Sequence, residues 1–236
     1  MPKNHKESYY SNYSPLDVLA LAIRVYDKQG FIRSGEGYVD INHEEGTQTV
    51  INDNKTEVTN LLVTNLRPED DELQLAKEIM DKFNGKFMLK KLTGGLTSFE
   101  QNVAKAFSEE INKFSVSIIS SIPHMNQVDK KRQAVTDRLE SVRFDSEYFG
   151  DNRVRYDIEV EVIDVKFIQS SGVYMITTLY NNKDIIKFWW RDQPDISDII
   201  DGKVIKIRGT VNKHENSKYS KAKETMLNRV KIINAS

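Results

Sequence analysis

The chain has no cysteine in its 236 residues, so disulfides, thiolate metal sites and thiol nucleophiles are all excluded. Long apolar runs are missing as well. No uninterrupted stretch is long enough to cross a bilayer, and the opening "MPKNHKESYYSNYSP" has no apolar core of the kind a signal peptide needs. The expectation is a cytoplasmic protein with no membrane partner. Histidine is scarce: His5, His43, His124 and His214 are scattered without ligand spacing. There is no G-x-x-x-x-G-K-[ST] loop, "SGEG" lacks the strand and helix context of a dinucleotide fingerprint, and the K-x-D-G pattern of nucleotidyltransferases is absent. The acids of "RPEDDE" suit the positive end of a helix dipole, and "NHEEGTQ" reads as a turn. The expectation is no enzyme, no metal and no cofactor.

What is present fits a globular protein, with 39% apolar and 29% charged residues. The length suits two modest domains. Net charge is only −1, but it is unevenly spread. From Lys203 to Ser236 there are nine Lys or Arg against Glu215 and Glu224, so the rest of the chain is acidic. That basic end either meets a polyanion or neutralises an acidic neighbour.

Residues 1–13 are polar and tyrosine-rich and are expected to form a flexible arm. Residues 14–148 read as mainly helical. "SPLDVLALAIRVYDKQG" has Ser14 as N-cap, Pro15 at the first helical position and Gly30 as terminator, with Leu16, Leu19, Ala20, Ile23 and Tyr26 on one stripe. "FIRSGEGYVDI" suggests a short hairpin around its glycines, and a helix is expected near Glu57 to Leu66. Another helix starts at Pro68 and should end at Asn84-Gly85. "TSFE" has capping-box spacing, and "VDKKRQAVTDRLESVRF" is one more helix.

After "SEYFGDNR" the period changes from helical to alternating, which sets the domain boundary near 148–153. "RYDIEVEVIDVKF" alternates at Ile158, Val160 and Val162, then slips phase to Ile163, Val165 and Phe167, the mark of a bulge. "GVYMITTLY" and "KDIIKFWW" are strands joined by the turn "NNKD". "DISDIIDG" is a short helical or turn segment, and "KVIKIRGTVNKH" and "TMLNRVKII" complete five strands. The expected fold class is α+β: a helical N-terminal domain followed, over residues 153–236, by a five-stranded barrel of the OB type.

In that fold the outer face of the second and third strands, with the flanking loops, meets oligonucleotides. Alternation puts Ile186, Phe188 and Trp190 inward, and Lys187, Trp189 and Arg191 outward with Ile185. In the preceding strand Val173, Met175 and Leu179 are expected inward, and Tyr174, Thr178 and Tyr180 outward with Ile176. In the fourth strand Lys206, Arg208 and Thr210 face out. The following loop carries Lys213, Lys218, Tyr219 and Lys221 and is expected to be mobile, and Arg229 lies on the last strand. Rings beside cations suit single strands, because bases stack on ring faces while Lys and Arg track phosphates.

"GVYMITTLYNNKDIIKFWWRD", "GKVIKIRGTVNKH" and "TMLNRVKI" resemble the C-terminal OB segment of bacteriophage proteins related to single-stranded DNA-binding proteins. The resemblance covers about residues 155–233. It implies a barrel engaging single-stranded DNA in phage replication, recombination or repair, inside a host cytoplasm, and it points to Tyr174, Lys187, Trp189, Arg208 and Arg229. The ending "KIINAS" lacks the acidic tail through which bacterial single-strand binders recruit partners, and the helical half is outside the resemblance. RNA stays open as a ligand, since no residue reads a 2′-hydroxyl. Replication or recombination proteins are expected partners, and the helical domain could hold an oligomer together. The alternative from another class is a protein-interaction module that docks a replication or transcription enzyme without nucleic-acid affinity of its own.

Overall fold

The computed structural model describes residues 10–42, 46–191, 202–218 and 220–235. The chain divides into two compact units, residues 1–130 and 131–236. The division falls inside a helix, upstream of the change in periodicity at 148–153.

The first unit is built on α1 (Pro15–Gln29), whose N-terminus carries the expected capping box between Ser14 and Asp17. Instead of one buried stripe, α1 is buried almost all round, with Val18 to Ala22 entirely shielded. Helices α2 (Asn54–Val63), α3 (Asp70–Thr93), α4 (Ser98–Ser108) and α5 (Lys113–Ile119), together with the start of α6 (Ile122–Val142), complete the unit. Thr97 caps α4 as its spacing predicts. α3 runs straight through Asn84-Gly85, where a stop was expected. Phe83 and Phe87 on either side are buried in the core, and Lys86 and Lys90 pair with Asp129 and Glu100. Those contacts outweigh the cost of about 1 kcal/mol for a mid-helix glycine. Residues 1–9 of the expected arm lie outside the described residues. Tyr10–Asn12 form a 3-10 turn, and Tyr10 and Tyr13 are buried in the core, so the end of the expected arm is anchored. A hairpin of β1 (Tyr38–Asn42) and β2 (Thr47–Ile51) does form, but its strands lie downstream of the glycines of "SGEG".

The second unit is a closed barrel of β3 (Arg155–Ile168), β4 (Val173–Tyr180), β5 (Asp184–Trp190), β6 (Val204–Asn216) and β7 (Lys223–Ala235), in the order β3-β4-β5-β7-β6. Among the described residues only β5 and β7 pair in parallel, and the arrangement is OB-like. The phase slip in β3 is a register shift between Val162 and Asp164, as the alternation predicts. Asn181 and Asn182 both have positive φ, 50° and 58°, and Lys183 N–H donates to the Tyr180 carbonyl (3.2 Å), closing a tight turn in the three-residue connection between paired Tyr180 and Asp184. The expected "DISDIIDG" segment lies outside the described residues except for its last glycine, Gly202.

The residues read as a boundary are part of this unit. Ser146 donates to the Lys223 carbonyl (2.7 Å) and accepts from the Ile185 amide (3.0 Å), tying β5 to β7 where their pairing begins. Phe149 packs edge-on against Tyr156 and Tyr180 at 5.0 and 4.8 Å, closing one end of the barrel. Gly150 has φ 63°, and a Cβ there would lie 2.6 Å from the Tyr156 ring. The second half of α6 lies on the outside of the barrel, where Val135, Leu139 and Val142 pack with Ile163, Leu179 and Ile185.

Candidate nucleic-acid interface

The two adjacent tryptophans separate as strand alternation requires. Trp190 is 7% exposed in the barrel interior, and Trp189 is 49% exposed on the outside. The ladder then fixes their neighbours. Trp189 stands opposite Met175, which stands opposite Lys166 on β3, so these three form one row across the outer face. Lys187 belongs to the next row, opposite Thr177. Leu179 and Ile185 come after it and are covered by α6. The outer face of β4 and β5 is thus shared: the chain's own helix occupies one end, and Trp189 stands at the other.

The faces of β4 are the reverse of those expected. Tyr174 lies opposite Trp190 and Ile176 opposite Phe188, so the even-numbered residues point into the barrel. Tyr174 is half-buried at the rim, 4.9 Å from the exposed ring of Phe167. Thr178 is fully buried and donates to the Ile186 carbonyl (3.0 Å), so it cannot contact a ligand. Tyr180 packs on Phe149 at the opposite end. The reversal arises because β4 carries apolar residues on both faces, one set lining the barrel core and the other including Leu179, which α6 covers, so the polar-apolar contrast that alternation relies on is weak.

The expected cations are placed on the outside, but several are already engaged. Lys187 donates to both carboxylate oxygens of buried Glu224 at 2.8 Å. Arg208 forms a two-point pair with Asp157 at 2.5 and 2.6 Å, and its hydrogen bonds hold the Asp157 carboxyl below the ordinary value. Lys213 pairs with Glu215 at 2.6 Å. Lys223 pairs with Glu147 at 2.5 Å and lies over the Tyr148 ring. Lys206 is exposed opposite Glu159. With Arg208 it sits on β6, which is next to neither β4 nor β5. Arg191 is exposed just beyond β5.

The loop after β6 is held more firmly than a mobile flap. Ser217 N–H donates to the Ala222 carbonyl (2.8 Å), and Lys221 N–H donates to the Ser217 carbonyl (3.1 Å). Lys218 and Lys221 are exposed on it, and Tyr219 lies outside the described residues. Arg229 has φ 51° at a register shift of β7 opposite the Gly209 region, and its side chain is exposed.

The structure therefore brings together Trp189, Met175 and Lys166, with Arg191 nearby in sequence and the Phe167–Tyr174 pair at the barrel rim. Lys166, Met175 and Phe167 were absent from the sequence-based set. Carrying the alternation of β3 beyond its phase slip places Lys166 outward, which is the signal that would have found it. An exposed indole flanked by a thioether and an ammonium can stack on a planar base while the ammonium meets a phosphate. Among the described residues no group of three or more His, Asp or Glu could hold a metal ion, and no helix is long and apolar enough to cross a membrane. Comparison with protein families, with curated proteins and with solved structures finds no match for this chain.

Proposed function

We propose that this chain binds single-stranded DNA on the outer face of its OB-like barrel, around Trp189. The observation that carries the reading is the half-exposed indole on β5, fixed by ladder pairing and set in a row with Met175 and Lys166. Such a side chain offers a base a flat, preorganised surface, and every base has a ring face, so selectivity among bases is low. Protection or organisation of single strands during phage replication, recombination or repair is the setting that the sequence resemblance supplies. In a polarisation titration with a labelled oligothymidylate, Trp189→Ala should weaken binding by about 1–3 kcal/mol, the worth of one stacked base. Lys166→Ala should lower the salt slope by about 0.7, one phosphate contact on a single strand. Unchanged affinity in both variants rejects the site.

One observation favours a second reading, the protein-interaction module. Lys187, Arg208, Lys213 and Lys223 are all paired with carboxylates, which lowers the positive field a polyanion would meet. Under that reading the Trp189 row is an apolar anchor for a protein, and binding of the partner responds little to salt.

A further inference from the structure

The Trp189 row leaves the basic end of the chain, from Lys203 onward, without a role. Several of its cations lie on another side of the barrel, the outer face of β3, β6 and β7, where the ladder fixes their order. Arg155 stands opposite Thr210, and Thr210 opposite Asn228. In the next row Asp157 stands opposite Arg208 and Arg208 opposite Lys231, and beyond it Glu159 faces Lys206. The alternate residues Ile158, Val160, Ile205 and Ile207 fill the barrel core, so the charged set points outward. Arg155, Lys206, Arg208, Arg229 and Lys231 are all exposed. Against these five cations the rows hold two acids, Asp157 and Glu159, and Glu161 further along β3 is bonded to Arg138 at 3.1 Å.

Two features of this face work against stability. Arg208 and Lys231 are like charges directly opposite on neighbouring strands, an unfavourable pairing in a sheet. Arg229 holds φ at 51°, a left-handed backbone that glycine adopts without strain and arginine does not. The register shift between Arg208 and Thr210 is a bulge in β7: Val230 packs on the barrel core, while Asn228, Arg229 and Lys231 are all exposed. Gly209 makes room for it, since a Cβ there would lie 3.0 Å from Leu227 and 3.2 Å from Val230. The bulge thus adds an outward cation to a face that already has an excess. Only Arg208 has its charge met directly: among the described residues Arg155, Lys206, Arg229 and Lys231 form no ion pair. Nor do the outward positions of these rows carry an aromatic ring among the described residues.

We infer that the outer face of β3, β6 and β7 is a second nucleic-acid site, one that takes the sugar-phosphate backbone of duplex DNA. Cations without rings meet phosphates but cannot stack bases, so this face lacks what favours a single strand. A duplex keeps its bases stacked within itself and presents phosphates densely, one charge per about 1.7 Å of axis. Contacts to phosphate alone carry no sequence information, so binding is the same for every duplex sequence. The site is separate from the Trp189 row and stands without it.

Polarisation titration of the full chain with a labelled blunt duplex, over a range of salt, tests it. Four unpaired cations at about 0.9 per phosphate set a slope of log affinity against log salt of up to about −3.6. Arg155→Gln with Lys231→Gln should make that slope shallower by about 1.8 for every duplex sequence, and leave oligothymidylate binding as in wild type. Arg229→Gly removes a cation and suits the left-handed backbone, so it should take about 0.9 from the slope without lowering the thermal midpoint. Trp189→Ala should leave duplex binding unchanged, and unlabelled oligothymidylate should not displace the duplex. A wild type that fails to bind duplex at low salt overturns the inference, as does duplex binding that neither cation variant alters. Retention of anionic phospholipid vesicles in place of duplex also overturns it, and so does full displacement by oligothymidylate, which would merge the two faces into one site. Duplex binding that needs these cations, together with oligothymidylate affinity that Trp189→Ala does not change, keeps this face and rejects the Trp189 reading alone.

Discussion

Glu224→Gln should change stability and DNA binding together. Glu224 is buried on β7 and takes both its carboxylate oxygens to Lys187 Nζ at 2.8 Å, two residues along β5 from Trp189. Breaking a buried pair from one side typically costs about 3–5 kcal/mol, because the remaining charge is left without its partner. The Lys187 side chain keeps 23% of its surface in water, which brings the cost below that range, and a loss of roughly 2–3 kcal/mol is expected in urea unfolding. The freed ammonium lies on the same outer face as Trp189. If the single strand crosses that row, the variant gains one phosphate contact, and the slope of log affinity against log salt steepens by about 0.7. A stability loss with an unchanged slope places the phosphate path away from Lys187. Wild-type stability together with wild-type slope refutes the reasoning, since it would mean that the ion pair neither supports the barrel nor withholds a cation.

Three further outcomes can be measured. Ser146→Ala leaves the Ile185 amide and the Lys223 carbonyl without their shared partner, and should cost about 1–3 kcal/mol in chemical unfolding. The Glu100 carboxyl is pulled from 4.5 to about 2 by the hydrogen bond from Lys90, helped by the Thr97 backbone and hydroxyl. A lowered folded-state value contributes stability above the ordinary carboxylate range and loses it as pH falls from 4.5 toward 2, so the melting temperatures of wild type and Glu100→Gln should differ near neutrality and converge in acid. Trp190→Phe removes a buried indole N–H that has no hydrogen-bond partner among the described residues. The relief of that donor should offset much of the lost packing, keeping the thermal midpoint within a few degrees of wild type.

The sequence was most legible where the signal is local. Ser14 and Thr97 announce their helices because a cap and its partner are three residues apart. The β3 phase slip and the Asn181-Asn182 turn are equally local, and together with the strand count they lead to the closed barrel. Legibility failed where a distant element decides. The faces of β4 depend on α6 lying against Leu179, and nothing within "GVYMITTLY" records that cover. Lys187 and Glu224 are separated by 37 residues and Arg208 and Asp157 by 51, so charge counts along the chain could not show which cations are spent on neighbours. Trp189 was placed correctly because its strand partner in alternation, Trp190, completes an unambiguous apolar face with Ile186 and Phe188.

The most direct measurement uses the Trp190→Phe protein, in which Trp189 is the sole tryptophan, and follows its fluorescence during titration with a short oligothymidylate at two salt concentrations. The account predicts quenching that weakens as salt rises and that an equal length of duplex does not reproduce. Steady fluorescence, with no retention of the oligonucleotide by the protein, would contradict it and leave Trp189 as an anchor for a protein partner.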